Sequence, residues 1–109
     1  MKTINYSFSN SDIEAVTSAL EALAYYSFFD DEPDGQEKLF DIIQSVGIKL
    51  LSHSPLDQKD AYYIAFSIDC AYKSLRDELS IEDEGKQIIS PYIFTINKLQ
   101  PIFSPILSE

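Results

Sequence analysis

Helical periodicity between residues 61 and 79 is the feature that most constrains the fold. Apolar side chains recur there every three or four positions, and on a helical wheel they fall within an arc of ~120°. They are Ala61, Ile64, Ala65, Ile68, Ala71, Tyr72, Leu75 and Leu79. A helix with such a stripe must be covered by other elements, so the pattern predicts a helix inside a packed domain. Ser54 or Asp57 is expected to cap its start.

Two earlier segments repeat the pattern. The first is expected to begin near Ser11, where Ser11 and Glu14 have the spacing of a capping box, and to run to about Phe28. The second is expected to run from about Gln36 to His53. Their apolar stripes are Ile13, Val16, Leu20 and Leu23 in the first and Leu39, Ile43, Val46 and Leu50 in the second. Both segments therefore predict amphipathic helices.

The last part of the chain allows two interpretations. Residues 88–99 fit a fourth helix, with Ser90 as the cap and Pro91 at the first helical position, or with a kink at Pro91. Residues 92–96 are also β-branched and aromatic, and residues 4–8 alternate apolar with polar side chains, so the chain ends could instead pair as a short β-ribbon. Either way, residues 1–109 predict a single, mainly α domain in which about four helices pack as an antiparallel bundle.

Composition narrows the possible functions. Eighteen acidic residues against 8 basic ones give a formal charge of −10, which argues against binding a nucleic-acid backbone or an anionic membrane surface. The single cysteine, Cys70, cannot form an internal disulfide. Neither a secretory signal nor an apolar stretch of membrane-spanning length is recognisable. We therefore expect a cytoplasmic protein, a monomer or weak homodimer, whose partners are proteins.

Most of the acidic residues are concentrated in two windows. Residues 30–37 and residues 77–84 each contain five carboxylates and no base. In an antiparallel four-helix bundle these two connections lie at the same end, which would create one acidic pole. Tyrosine pairs accompany the windows, and tyrosine is enriched at protein interfaces. The candidate partner-binding residues are Asp30, Asp31, Glu32, Asp34, Glu37, Glu82, Asp83, Glu84, Tyr25, Tyr26, Tyr62 and Tyr63; alternatively, both windows are merely solvated loops.

No motif indicates an enzyme or a cofactor. His53 is the only histidine and Cys70 has no histidine nearby in sequence, and nucleophile elbows and glycine-rich phosphate loops are absent. A calcium-loop pattern is partly matched by Asp30, Glu32, Asp34, Gly35 and Asp41. However, Glu32 is too long, Asp41 too short, and Glu37 occupies a normally apolar position. We expect no metal, no other cofactor and no catalytic activity.

A small, acidic, mostly helical chain with these windows and tyrosine pairs resembles the immunity proteins of bacterial toxin systems, such as contact-dependent growth inhibition and colicin nucleases. The resemblance is to the class and includes no motif. It implies an inhibitor that occludes a basic toxin domain, often a nuclease, in the cytoplasm of the producing cell. Two alternatives remain: an interaction module that dimerises through residues 88–107, and a nucleic-acid mimic that blocks a DNA-binding protein.

Overall fold

The computed structural model describes residues 6–26 and 35–108 of the chain. It contains the helices α1 (Asn10–Ala22), α2 (Gly35–Leu51), α3 (Gln58–Leu75), α4 (Asp83–Ile89) and α5 (Ile93–Leu107). A 3₁₀ turn, Leu23–Tyr25, extends α1, and a second one, Ser90–Tyr92, joins α4 to α5. The described residues include no strand. The mainly α prediction is therefore confirmed, and residues 88–99 are helical.

Helix α1 begins earlier than predicted because its capping box is formed by other residues. The Asp12 N–H donates to Ser9 Oγ at 3.1 Å, and the Ser9 N–H donates to the Asp12 carboxylate at 3.0 Å. Ser11, the predicted cap, already lies inside the helix. Helix α3 has an equivalent box between Asp57 and Asp60, so Asp57, one of its two predicted caps, is confirmed.

Helices α2 and α3 both end in a Schellman motif, in which a residue with positive φ turns the chain out of the helix. After α2, the Ser54 N–H donates to the Lys49 carbonyl at 2.9 Å, and the residue with positive φ is His53, at 54°. After α3, the equivalent residue is Asp77, at 59°. Helix α3 therefore stops at Leu75 and excludes Leu79, although the apolar stripe continued to that residue.

The C-terminal helical segment is longer than the sequence predicted. It begins at Asp83 rather than at residue 88, and Pro91 lies in the 3₁₀ turn, as the kinked alternative required. Helix α5 then continues through Pro101 and Pro105 to Leu107. A proline inside a helix removes one backbone hydrogen bond. The buried face of α5, which includes Ile96, Leu99 and Phe103, compensates by holding the helix against the core.

Helix α3 lies at the centre of the packing. Its most extensive contacts are with α5, followed by those with α1, while α1 also packs on α4. Helix α2 is peripheral and packs on α1 and the 3₁₀ turn Leu23–Tyr25. Helix α1 runs antiparallel to the C-terminal segment, because Asp12 contacts Lys98 whereas Tyr25 contacts Glu82. None of the helices among residues 6–26 and 35–108 is long and apolar enough to cross a lipid bilayer.

Tyr6 and Phe8 pack near the C-terminal helix, and the described residues form no β-ribbon there. Tyr6 and Phe8 pack on Phe103 of α5, with ring centroids 5.7 and 5.8 Å apart respectively. The Tyr6 hydroxyl donates to Asp12 at 2.9 Å, and Lys98 donates to the other oxygen of the same carboxylate at 2.7 Å. Tyr6 and Phe8 therefore lie against α5 through their side chains, and a helix offers no free backbone edge to pair with.

Candidate functional site

Three consecutive carboxylates, Glu82, Asp83 and Glu84, are exposed at the start of α4. Acidic side chains are favourable in a first helical turn because they face the positive end of the helix dipole. The Glu82 N–H donates to the Tyr25 carbonyl at 3.2 Å, which fixes this turn against the end of α1. We call Tyr25 and these three carboxylates the α4 acidic surface. It unites four of the predicted site residues.

The contact between Tyr25 and α4 depends on Gly85, which is buried. A Cβ atom added at Gly85 would lie 2.7 Å from Tyr25 Cβ and 2.8 Å from Ile81 Cδ1. No real Cβ atom tolerates such distances, so glycine is what allows the 3₁₀ turn and α4 to approach this closely. Tyr25 is half-buried in this contact, and the three carboxylates next to it remain open to solvent.

The second acidic window divides into a neutralised part and an uncompensated part. Asp77 pairs with Lys86 at 2.8 Å, and Glu78 with Arg76 at 3.5 Å. The hydrogen bond and charge of Lys86 hold the pKa of Asp77 below its ordinary value. By contrast, Glu82, Asp83 and Glu84 form no ion pair with any residue in the described part of the chain. Uncompensated charge is therefore concentrated on the α4 acidic surface.

The first acidic window falls mostly outside the described residues. Asp30, Asp31, Glu32 and Asp34 lie outside the described residues. Glu37 is described, and it is exposed in the first turn of α2. Tyr25, five positions before Asp30 in the sequence, contacts the second window through its carbonyl, which accepts from the Glu82 N–H. That both windows form a single pole stays a prediction.

Tyr26 was predicted to lie on the binding surface, and this is wrong. Its side chain is only 1% exposed, and its hydroxyl lies 2.6 Å from Ser74 Oγ. Because the Ser74 hydroxyl itself donates to the Cys70 carbonyl, Tyr26 is the donor in this pair. Burial raises the pKa of Tyr26 to about 12. The prediction rested on the pairing of Tyr26 with Tyr25 beside the acidic window; a 3₁₀ turn precedes Tyr26 and its own backbone is extended, so the two neighbouring side chains do not share a surface.

The second tyrosine pair forms a separate aromatic patch on α3. Tyr62 is 46% exposed and stacks on Phe66 with ring centroids 5.9 Å apart, while Tyr63 is half-buried against the core. Tyr62 lies near the start of α3, and the α4 acidic surface follows its other end. Thirteen residues of helix, about 20 Å, separate Tyr62 from Leu75. The structure therefore does not join these tyrosines to the carboxylates.

One more exposed carboxylate lies close to Tyr25 in the sequence. Glu21 is exposed on α1, four residues before Tyr25, and pairs with no basic group among the residues that the structure covers. It lies outside both acidic windows, so a search for charge runs does not detect it. Its position four residues before Tyr25 in the sequence was the available signal.

Cys70 and His53, the residues that we considered as a nucleophile or a metal ligand, lie in different environments. Cys70 is buried, and burial raises the pKa of its thiol to about 12, so the thiol stays protonated at neutral pH. His53 is exposed at the end of α2, where its backbone caps the helix. Within the described ranges, no three potential ligand side chains lie close enough to hold a metal ion.

No protein-family model matches this chain, and neither a curated protein nor a solved structure shows significant similarity to it. A proposal about function therefore rests on the geometry of the α4 acidic surface and on the charge of the chain.

Proposed function

We propose that this chain is a protein-binding inhibitor that neutralises a basic partner domain by covering its substrate-binding site with the α4 acidic surface. The observation that carries the proposal is the set of three exposed carboxylates without basic counterparts among the described residues, beside the half-buried Tyr25. Neighbouring like charges repel one another at a cost in stability. A partner that supplies lysine and arginine side chains relieves this repulsion.

The chemistry of such a surface favours fast association. A negative field steers a positively charged partner during diffusional encounter, and salt screens this attraction. Tyr25 provides an aromatic group next to the charges, and aromatic anchors slow dissociation once water is excluded. Glu21 extends the negative surface along α1. Glu37 and the carboxylates of residues 30–34 are proposed as a second part of the same interface.

The partner class that fits this chemistry is a basic toxin domain, such as a nuclease, whose cationic groups otherwise hold phosphates. The resemblance to immunity proteins and the net charge of −10 support this assignment. Such an inhibitor acts in the cytoplasm of the cell that makes the toxin. The proposal therefore requires a captured partner to be basic and to be harmful when produced alone.

A capture experiment with charge-matched variants tests the location of the interface. The site variant is Asp83→Asn/Glu84→Gln, and the control is Glu14→Gln/Asp41→Asn, which removes two exposed carboxylates elsewhere. Glu14 lies about 16 Å along the helix axis from Tyr25. Tagged wild-type protein and the control should retain the same basic protein from an extract of the source organism, and the site variant should lose it. Equal retention by both variants contradicts the assignment.

Co-expression tests the inhibitory role separately. A gene for the captured protein should arrest growth of a heterologous host when expressed alone, and co-expression of the wild-type chain should restore growth. The site variant should restore it less well than the control variant. If the captured protein is harmless by itself, the interaction stands but the inhibitor assignment does not.

A further inference from the structure

The outer face of α2 exposes three large apolar side chains to solvent. Phe40 is 56% exposed, Ile48 65% and Leu51 69%. On a helical wheel these three residues fall within an arc of about 100° that also includes Gln44 and Gly47. We call these five residues the α2 face. No residue between positions 40 and 51 in this arc is charged, and the face is about 16 Å long, or three helical turns.

No contact within the fold accounts for the glycine at position 47. A Cβ atom there would meet no atom within 4 Å, whereas one at Gly85 would clash with Tyr25. Glycine in a helix interior costs about 1 kcal/mol relative to alanine. What a glycine provides on a helix surface is room for another backbone to approach closely. Gly47 therefore indicates that a further element packs on the α2 face.

The charges at the border of the α2 face favour a basic partner. Glu37 and Asp41 are exposed beside it, and neither pairs with a basic residue in the described part of the chain. On the wheel, Lys38 and Lys49 point away from the face, and Lys49 is bound to Asp60 at 2.7 Å. A second copy of a chain with net charge −10, or an anionic membrane, is repelled here. Lysine and arginine side chains are attracted.

We propose that the α2 face binds a basic amphipathic helix of a partner protein. The apolar side of that helix covers Phe40, Ile48 and Leu51, as in other complexes that bury the apolar face of a helix, and its backbone comes closest at Gly47. Both bordering carboxylates lie in the first half of α2, so the basic residues of the partner helix lie over that half. The α2 face and the α4 acidic surface share no residue, and the inference does not depend on the inhibitor function.

Titration of the ¹⁵N-labelled full chain with synthetic peptides tests the kind of occupant. The probe is a leucine–lysine peptide of about 14 residues, or four turns, whose leucines recur at helical spacing. A second peptide has the same composition in an order that leaves no apolar face. The first peptide should shift the amide resonances of residues 40–51 most strongly, and the second should bind on the order of tenfold more weakly. Absence of binding, equal binding of both peptides, or shifts centred on the α4 acidic surface would overturn the inference.

Matched variants test the α2 face itself. Ile48→Ser/Leu51→Ser should weaken binding of the first peptide on the order of tenfold. The control, Phe94→Ser/Ile102→Ser, removes two exposed apolar side chains from α5 and should leave binding unchanged. Gly47→Gln should also weaken binding, because it fills the opening, and should not destabilise the fold, because no atom lies within 4 Å of a Cβ atom there. Full binding by Gly47→Gln, or equal losses in the two double variants, contradicts the proposal.

Discussion

His53 shows how a single residue can carry backbone strain in this fold. Its φ of 54° lies in the left-handed region, where residues other than glycine are unfavourable. His53→Gly should raise the free energy of unfolding by about 0.5–1 kcal/mol, because the strain removed exceeds the entropy that glycine adds to the unfolded chain. His53→Ala should lower it. Urea denaturation of wild type and the two variants checks this order of stability. Equal stability of the glycine and alanine variants would contradict it.

Asp12 is a single residue that makes the stability of the fold depend on pH. Burial raises its pKa, but hydrogen bonds from Lys98, Ser9 and Tyr6 outweigh that effect, so the pKa lies below its ordinary value. A carboxylate with a lowered pKa stabilises the fold above the pKa of the unfolded chain, and this stabilisation is lost as the pH falls through the folded value.

Asp12→Asn should therefore destabilise the protein at pH 7, because the variant has no carboxylate to bind Lys98. The difference from wild type should shrink as the pH falls below about 4 and Asp12 becomes protonated. Thermal denaturation across this pH range measures the effect. Asp41→Asn, an exposed change on α2, should show no comparable pH-dependent difference. A wild-type advantage that is constant between neutral and acidic pH would count against the assigned role.

At the scale of the elements, replacing a glycine with alanine should have opposite effects on stability at positions 85 and 47. Only Gly85 lies at the close approach of α4 to the 3₁₀ turn. Gly85→Ala should lower the free energy of unfolding by about 1–3 kcal/mol, because the new methyl group meets Tyr25 Cβ. Gly47→Ala should raise it by up to about 1 kcal/mol, since no atom lies within 4 Å and alanine favours the helix. Guanidinium denaturation measures the free energy of unfolding of both variants. Stabilisation by both substitutions would contradict the close contact between Gly85 and Tyr25.

Helical periodicity predicted the fold class and the approximate positions of α1, α2, α3 and the C-terminal helical segment, because the 3.6-residue repeat of apolar side chains is a local property. It failed at the helix ends, where backbone geometry changes. The 3₁₀ turn after Ala22 shifted the side chains that follow, so Tyr26 became buried. The Schellman motif at Asp77 ended α3 inside an apolar stripe, and packing carried α5 beyond its prolines. Local backbone geometry decided the first two of these outcomes, and packing against the core decided the third.

At the scale of the whole molecule, pairs of residues distant in sequence decide which side chains share a surface. Asp12 and Lys98 are 86 positions apart, and Tyr26 and Ser74 are 48 apart. Nothing in the residue types specifies such pairs. Sequence reasoning identified Glu82, Asp83 and Glu84 because their clustering is local. It could not show that Asp77 and Glu78 are neutralised, or that Gly85 brings Tyr25 to the same surface.

The charge of the molecule predicts how salt affects the binding of its proposed partner. Binding of a basic partner to the α4 acidic surface should weaken with salt, because the attraction is screened.

The most direct test of the central claim is the association rate constant with the purified partner, measured by stopped flow at low and high salt. At low salt, Asp83→Asn/Glu84→Gln should associate more slowly than wild type by a factor on the order of tenfold, and the difference should nearly vanish at about 0.5 M salt. The charge-matched control, Glu14→Gln/Asp41→Asn, should stay close to wild type. Equal rates for the site and control variants at low salt would contradict the claim that the α4 acidic surface binds the partner.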